Sequence, residues 1–189
     1  LYLDLYSRIP KDAATALYTG VMTDTGNLTY ESTTSATVAL VSILHHMEAD
    51  INAVRLHLYE SDTMGQIAGI RYILNELKTA INGYVVYTKL PLEVINSHGL
   101  SSGDLENFIE YPRKVDSCEV AILFKEFEKD VIRVSVRTKE KIDANVLAGS
   151  FGGGGHKRAA GFRVSRPMEE AIAFVLQRIE EGIRTNEWT

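Results

Sequence analysis

Residues 152–158 carry the residue types best suited to chemistry in this chain. Four consecutive glycines are followed at once by His156, Lys157 and Arg158. Glycine lets the backbone approach a ligand closely, and successive N–H groups form a concavity that suits an anion. The side chains that follow are donors suited to phosphate. Apolar residues flank the run on both sides, which favours an ordered loop over a flexible surface loop. The candidate phosphate ligands here are Gly153, Gly154, Gly155, His156 and Lys157.

A second group of polar donors lies just upstream, in residues 131–138. Apolar and polar side chains alternate there, as in a strand with one buried face. Arg133, Ser135 and Arg137 share the polar face. This face is either solvent-exposed or lines a cleft beside the glycine run. Arg137 suits phosphate because guanidinium can bind it with two nitrogens, and Ser135 is a weaker candidate for the same role.

One carboxylate, Asp24, stands between hydroxyl residues and glycine in residues 20–27. This setting suits either a metal ligand or a turn cap. A single carboxylate cannot hold a catalytic metal pair, which needs several ligands. His45 and His46 lie in an apolar helical pattern, and we interpret them as ordinary surface or interhelical histidines.

Composition and charge narrow the function classes. The chain has 189 residues, 45% of them hydrophobic, which is enough for one large domain or two small ones. Its net charge of −5 argues against a general duplex-binding protein, yet residues 133–166 carry a local net charge of +6. This basic segment is either a solvated face or the site of a compact anionic ligand. The lone cysteine, Cys118, fits a reducing cytoplasm.

Membrane and secretion signals are absent from the sequence. No apolar run approaches the roughly 20 residues that a membrane span needs. The first residues, Leu1 to Tyr6, lack a Met and a basic region. We therefore interpret the start as the interior of a longer protein and predict a cytoplasmic location.

The elements that position these residues follow from hydrophobic spacing. Residues 13–21, 34–47, 50–58 and 63–77 have helical periodicity, and residues 84–88 form a strand after Asn82-Gly83. Residues 118–127 and 131–138 predict a hairpin, Asp143 predicts a short capped helix, and a last helix begins near Pro167. A helix capped by Ser101 or Ser102 is expected to contain Leu105. The domain boundary is placed near residues 79–83.

Together these segments resemble the DHH phosphoesterase family, in particular its nanoRNase and pAp-phosphatase-like branch. Residues 23–26, Thr-Asp-Thr-Gly, look like its last metal-binding motif. Residues 134–138 and 152–161 look like the signature of its DHH-associated C-terminal domain. The resemblance implies an α/β protein: residues 1–80 as the helical end of a DHH domain, and residues 81–189 as a smaller α+β domain with a mixed sheet that binds substrate.

The resemblance also implies a mechanism. Two Mn²⁺ ions would activate water for attack on phosphorus, with Asp24 as one metal ligand. Substrates would be short RNA, dinucleotides or pAp-like nucleotides, and the assembly could be a homodimer. The family's earlier aspartates and its Asp-His-His motif are not in this sequence. The chain is therefore expected to be a C-terminal portion that is inactive alone.

Two other functions stay open at this point. The chain could be a nucleic-acid-binding module without hydrolysis, since related glycine–histidine domains occur in alanyl-tRNA synthetases. It could instead be an assembly or regulatory piece, with the apolar helical faces of residues 34–77 covering a partner.

Overall fold

The computed structural model describes residues 9–30 and 32–188. The prediction for Leu1 to Tyr6 therefore lies outside the described residues. The chain divides into two compact units, Leu1–Asp62 and Thr63–Thr189. Within the described residues, no helix combines the length and the apolar character that crossing a membrane requires.

The described part of the first unit is helical: α1 (Lys11–Asp24), α2 (Ser35–His46) and α3 (Ile51–Tyr59). The Thr34 hydroxyl accepts from the Thr37 amide, and an Asp50 carboxylate oxygen accepts from the Ala53 amide, so side chains cap the second and third helices. A small core joins the helices, built from the buried residues Ile9, Ala14, Tyr18, Met22, Leu44, Ala49 and Val54.

The second unit combines a sheet with helices on both faces. In chain order, its elements are α4 (Met64–Asn75), β1 (Lys78–Ala80), β2 (Val85–Leu90), α5 (Leu92–Ser97), two 3-10 turns (Gly103–Leu105 and Asn107–Ile109), α6 (Glu110–Arg113), β3 (Val120–Glu128), β4 (Val131–Thr138), α7 (Ala144–Gly149), β5 (Gly154–His156), β6 (Ala159–Ser165) and α8 (Met168–Arg184). The predicted boundary near residues 79–83 falls within this unit, over the end of β1 and the turn that leads to β2.

The sheet has six strands in the order β1-β2-β3-β4-β6-β5. The β2–β3 pair is parallel and every other pair is antiparallel. The predicted α/β class and mixed sheet are confirmed.

The two faces of the sheet are covered unequally. On one face, the side chains Ile132, Val134 and Val136 pack with α7 and α8 in a large core. On the other face, α4, α5, α6 and the 3-10 turns cover β2 and β3, whose inward residues include Ala121 and Leu123. The neighbouring part of that face, along β4 and β6, carries polar side chains. The helical cover and the alternation of β4 therefore create a polar face beside an apolar core.

Four local structures differ from the sequence prediction. Residues 101–113 form two 3-10 turns and a short helix, because Pro112 has no amide to donate and the Ser101 hydroxyl donates to Asp104. Helix α5, which follows Pro91, and the short strand β1 were not predicted. Residues 154–156 form an edge strand, where the sequence predicted a loop.

Candidate functional site

Strand register arranges the polar residues of the open face in three rows. Directly paired residues on neighbouring strands point to the same face of a sheet. The first row is cationic and contains Lys125, Arg133 and Arg163. The second contains Ser135, Gly161 and Gly154. The third contains Arg137, Ala159 and His156. The structure therefore brings Ser135, Arg137, Gly154 and His156 to one face, as the phosphate-site interpretation requires.

A cavity of about 450 Å³ opens on this face. A volume of this size is within the range of small-molecule sites. Its lining is mostly polar and consists of Ser102, Glu106, Lys125, Arg133, Val134, Ser135, Arg137, Gly161, Phe162 and Arg163. Because four of these residues are cationic and one is acidic, the cavity favours an anionic ligand.

Lys125, which lines this cavity, has a lowered pKa. Its Nζ donates to Ser135 Oγ at 2.8 Å. Burial, followed by the nearby charges of Arg137 and Arg133, lowers the pKa of Lys125 to about 8, and Glu106 opposes this shift. The sequence analysis missed Lys125 as a site residue, although a lysine directly after the apolar run of residues 120–124 was a usable signal.

Arg137 is oriented by an acidic neighbour. Its Nε lies 3.7 Å from Glu110 Oε1, and its Nη1 donates to its neighbour's carbonyl, Val136 O, at 3.2 Å. The second Glu110 oxygen accepts from Arg113 at 3.1 Å. This carboxylate on α6 therefore connects the helical cover to the guanidinium of the open face.

The glycine run has a structural function that the sequence analysis did not predict. The Gly153 amide donates to Ala148 O and the Gly155 amide donates to Asn145 Oδ1, both at 2.9 Å. A Cβ at Gly155 would lie 2.5 Å from the carbonyl oxygen of Ala159. These glycines therefore let the backbone pack against β6, and the amides of Gly153 and Gly155 are occupied by acceptors on α7.

His156 and Lys157, the side chains that follow the glycines, are exposed. His156 ends β5, and Lys157 begins the turn into β6. The next residue, Arg158, donates from Nη1 to Glu140 O at 2.9 Å and approaches Ile142 O at 3.4 Å. Arg158 therefore fixes the turn to the segment before α7, while His156 and Lys157 stay accessible.

Glu119 anchors that same segment from below. This buried carboxylate accepts from the amides of Glu140, Lys141 and Ile142, at 3.0, 2.6 and 3.0 Å from Oε1. Because Arg158 binds two carbonyls of this segment, Glu119 indirectly supports the hairpin that presents His156.

Asp24 lies in the first unit, exposed at the last position of α1. The turn after it is held by Thr25, whose buried hydroxyl donates to Val21 O at 2.6 Å. Among residues 9–30 and 32–188, no group of three or more His, Cys, Asp or Glu side chains could hold a metal ion. His45 and His46 are exposed at the end of α2. The residues near Asp24 thus do not by themselves form a metal centre.

The family model for the DHHA1 domain matches residues 82–185. The chain belongs to this family. The match spans the sheet from β2 to β6 and all of α8, and so contains the polar face. The resemblance to the DHH-associated portion of DHH-family proteins is confirmed.

Relatives with assigned names extend the comparison. The chain is 29% identical over 153 residues to the bifunctional oligoribonuclease and PAP phosphatase NrnA of Mycoplasma genitalium, covering 81% of this chain and 46% of that protein. It is 28% identical over 170 residues to an A-adding tRNA nucleotidyltransferase of Geobacter sulfurreducens, covering 88% of this chain and 18% of that protein. The chain thus spans about half the length of the first of these relatives and a smaller part of the second.

A solved structure shares the fold over nearly the whole chain. An exopolyphosphatase-related protein from Bacteroides fragilis superposes with a TM-score of 0.86 at 28% identity, covering 92% of this chain and 51% of that chain.

Proposed function

We propose that this chain is the substrate-binding portion of a DHH-family phosphoesterase that acts on short RNA, dinucleotides or pAp-like nucleotides. The observation that carries the proposal is the polar face of β4 and β6, where Arg137 and three other cations line a cavity and His156 lies in the same row as Arg137. The oligoribonuclease and PAP phosphatase named among the relatives supports the substrate class.

In this proposal the chain binds and orients the substrate. Arg137, oriented by Glu110, would contact a phosphate with two guanidinium nitrogens, and His156 would contact the same end of the ligand. Lys157 follows His156 in the chain and would add positive charge at the same end of the ligand. Gly154 pairs with Gly161 in the sheet, and Gly153 and Gly155 donate to α7, so these glycines would contribute by shaping the hairpin that presents His156. Holding the phosphate this way selects which phosphoester bond is presented for hydrolysis.

Hydrolysis itself is proposed to need Mn²⁺, which would activate water. Asp24 would be one ligand, and the other ligands would be supplied from outside the described residues. No step in the binding of the phosphate depends on the metal. A cytoplasmic location, a homodimer and inactivity of the chain alone stay predictions.

A binding module without hydrolysis is the second candidate. The similarity to an A-adding tRNA nucleotidyltransferase, over 88% of this chain, favours this second candidate. It indicates that a similar sheet occurs in a protein that is named for a different reaction. The same polar face would serve in both cases, and only turnover separates them.

The experiment that tests the proposal is calorimetric titration of the chain with pAp and with the diribonucleotide pApA. Arg137→Ala should weaken binding at least about tenfold, since it removes a charge-assisted two-nitrogen contact. Arg184→Ala is the matched control, because Arg184 ends α8, the helix packed against the opposite face of the sheet. Equal affinity of Arg137→Ala and wild type would refute the proposed site.

Turnover decides between the two candidates. The protein is incubated with Mn²⁺ and labelled pApA, and products are separated by chromatography. In the intact protein, Asp24→Ala should abolish turnover and leave the affinity for pApA unchanged, whereas Asp12→Ala in the first turn of α1 should change neither. Tight binding without any turnover by the intact protein would favour the binding module.

A further inference from the structure

The cationic row at one end of the open face lines the cavity, but the contacts proposed above with the phosphate come only from Arg137 and His156. Lys125, Arg133 and Arg163 occupy the same register position on three adjacent strands. Cβ atoms of directly paired residues lie about 4.5–5.5 Å apart, and like charges at such positions are destabilising. An acidic partner or an anionic ligand would relieve this repulsion.

Acidic partners do not account for this row. Among residues 9–30 and 32–188, none of its three members forms an ion pair with a carboxylate. Lys125 donates to the neutral Ser135 hydroxyl, and the Arg133 guanidinium lies 4.8 Å from the centre of the Phe127 ring. Glu106 is the single acidic residue that lines the cavity with them. The local charge is therefore left positive.

We propose that Lys125, Arg133 and Arg163 form a second phosphate subsite, so that the face binds a nucleotide ligand through two phosphate groups at once. This inference rests on the proposed function, because it takes Arg137 and His156 as the first subsite. It adds a preference for ligand length: a ligand with a single phosphate fills one end of the face and leaves the other empty.

The spacing of the rows defines the ligand. Arg133 and Arg137 are four residues apart on β4, which places the two ends of the face about 13 Å apart. Between them lies the row of Ser135, Gly161 and Gly154, in which two members have no side chain. This middle row leaves room for the sugars and bases between the first and third phosphates of a single-stranded oligonucleotide.

Lys125 makes the subsite responsive to its occupant. The groups that face this amine are Arg133 and Arg137 from β4 and Glu106 from the 3-10 segment, and they, with burial, hold its pKa at about 8. A phosphate at the subsite supplies the missing negative charge and raises this pKa again. Binding of the longer ligand above pH 8 should therefore be accompanied by proton uptake.

The test measures the affinity of the full chain for pA, pApA and pApApA at pH 7 over a range of salt concentrations. In the wild type, affinity should rise at least about tenfold from pA to pApApA, because the second contact is made within one complex. The slope of log affinity against log salt should steepen by about 0.7 for each added phosphate contact.

The variant that tests the subsite is the double substitution Lys125→Met and Arg163→Met. It should remove the gain with length and the added salt slope, and leave the affinity for pA within about twofold of wild type. Its control is Lys78→Met with Arg184→Met, on β1 and at the end of α8, which should keep both.

Proton uptake gives a second readout. At pH 8.5, titration with pApApA in buffers of different ionisation enthalpy should show uptake of about three-quarters of a proton by wild type. Lys125→Arg should keep the gain with length but lose the uptake, since guanidinium stays charged.

The outcomes separate this inference from the proposed function. Length-dependent affinity that the double variant loses supports the second subsite. If wild type binds pA and pApApA equally through Arg137, the second subsite is refuted and the proposed function stands. If wild type binds none of these ligands, both fall.

Discussion

Lys125→Met should stabilise the protein at neutral pH, because the wild type keeps a charged amine in a site that disfavours it. The pKa of Lys125 is lowered from 10.5 to about 8, and each pKa unit corresponds to 1.36 kcal/mol, so holding the charge costs about 3 kcal/mol. Methionine fills similar volume but loses the hydrogen bond to Ser135, worth about 1 kcal/mol. The expected net gain is about 2 kcal/mol.

The gain in stability from Lys125→Met should depend on pH. Between pH 8 and 10.5 the unfolded wild-type chain binds more protons at this site than the folded one, so wild-type stability rises with pH there. The advantage of Lys125→Met should therefore be full below pH 8, shrink through this window and be lost above pH 10.5. Comparing each variant with wild type at the same pH cancels the other titrating groups.

The assay is thermal and urea unfolding followed by circular dichroism at pH 7, 9 and 10.5. At pH 7, Lys125→Met should raise Tm by about 4–8 °C for a chain of this length. Lys78→Met, at an exposed position on β1, should change Tm little. A Lys125→Met variant that is equally or less stable than wild type at pH 7 would refute the reasoning, since the lysine would then be a structural residue.

Three further outcomes follow from the same structure. Glu119→Ala should lower stability by about 3 kcal/mol in urea unfolding, because it leaves the buried Ile142 amide without its acceptor and releases two more, whereas Glu140→Ala should change it little. Gly155→Ala should lower the free energy of unfolding by about 1–3 kcal/mol and weaken pAp binding, since the new methyl would meet Ala159 O at 2.5 Å. Gly20→Ala, with open space around it, should instead stabilise α1 by up to about 1 kcal/mol. Equal effects of the two substitutions on stability would contradict this account. Burial raises the pKa of the Cys118 thiol, so iodoacetamide at pH 8 should label the native chain far more slowly than the urea-unfolded chain, and equal rates would show that Cys118 is accessible.

The elements that rest on local chemistry could be predicted from sequence. The alternation of residues 131–138 predicted both the strand and the face that Arg137 occupies, and the structure confirms both. Asp143 was predicted to cap a short helix, and its carboxylate accepts from the amides of Asn145 and Val146. In each case, the residues that decide the structure are within a few positions of one another.

The parts that sequence did not predict depend on distant partners. The glycine run suggested a nest of free amides, yet the Gly155 amide donates to Asn145, ten positions earlier in the chain. Lys125 and Arg163 are 38 positions apart in the chain and meet only because both pair with Arg133. Periodicity reveals which face a residue occupies within its strand, but not which strands become neighbours.

Strand register is therefore what holds the candidate site together. A slip of one residue between β3 and β4 would place Lys125 on the opposite face from Arg133. The cationic row would then be lost. Glu126, next to this row, opposes such a slip: one carboxylate oxygen accepts from the Asp130 amide in the hairpin turn at 3.0 Å, and the other accepts from the Leu92 amide at the start of α5 at 3.3 Å. The irregular pairing of the hairpin is confined to the segment between Glu126 and Glu128, just past the row. The pairing is regular along all three rows of the face, so the spacing between its two cationic ends is fixed by the backbone and not by the side chains that bind there.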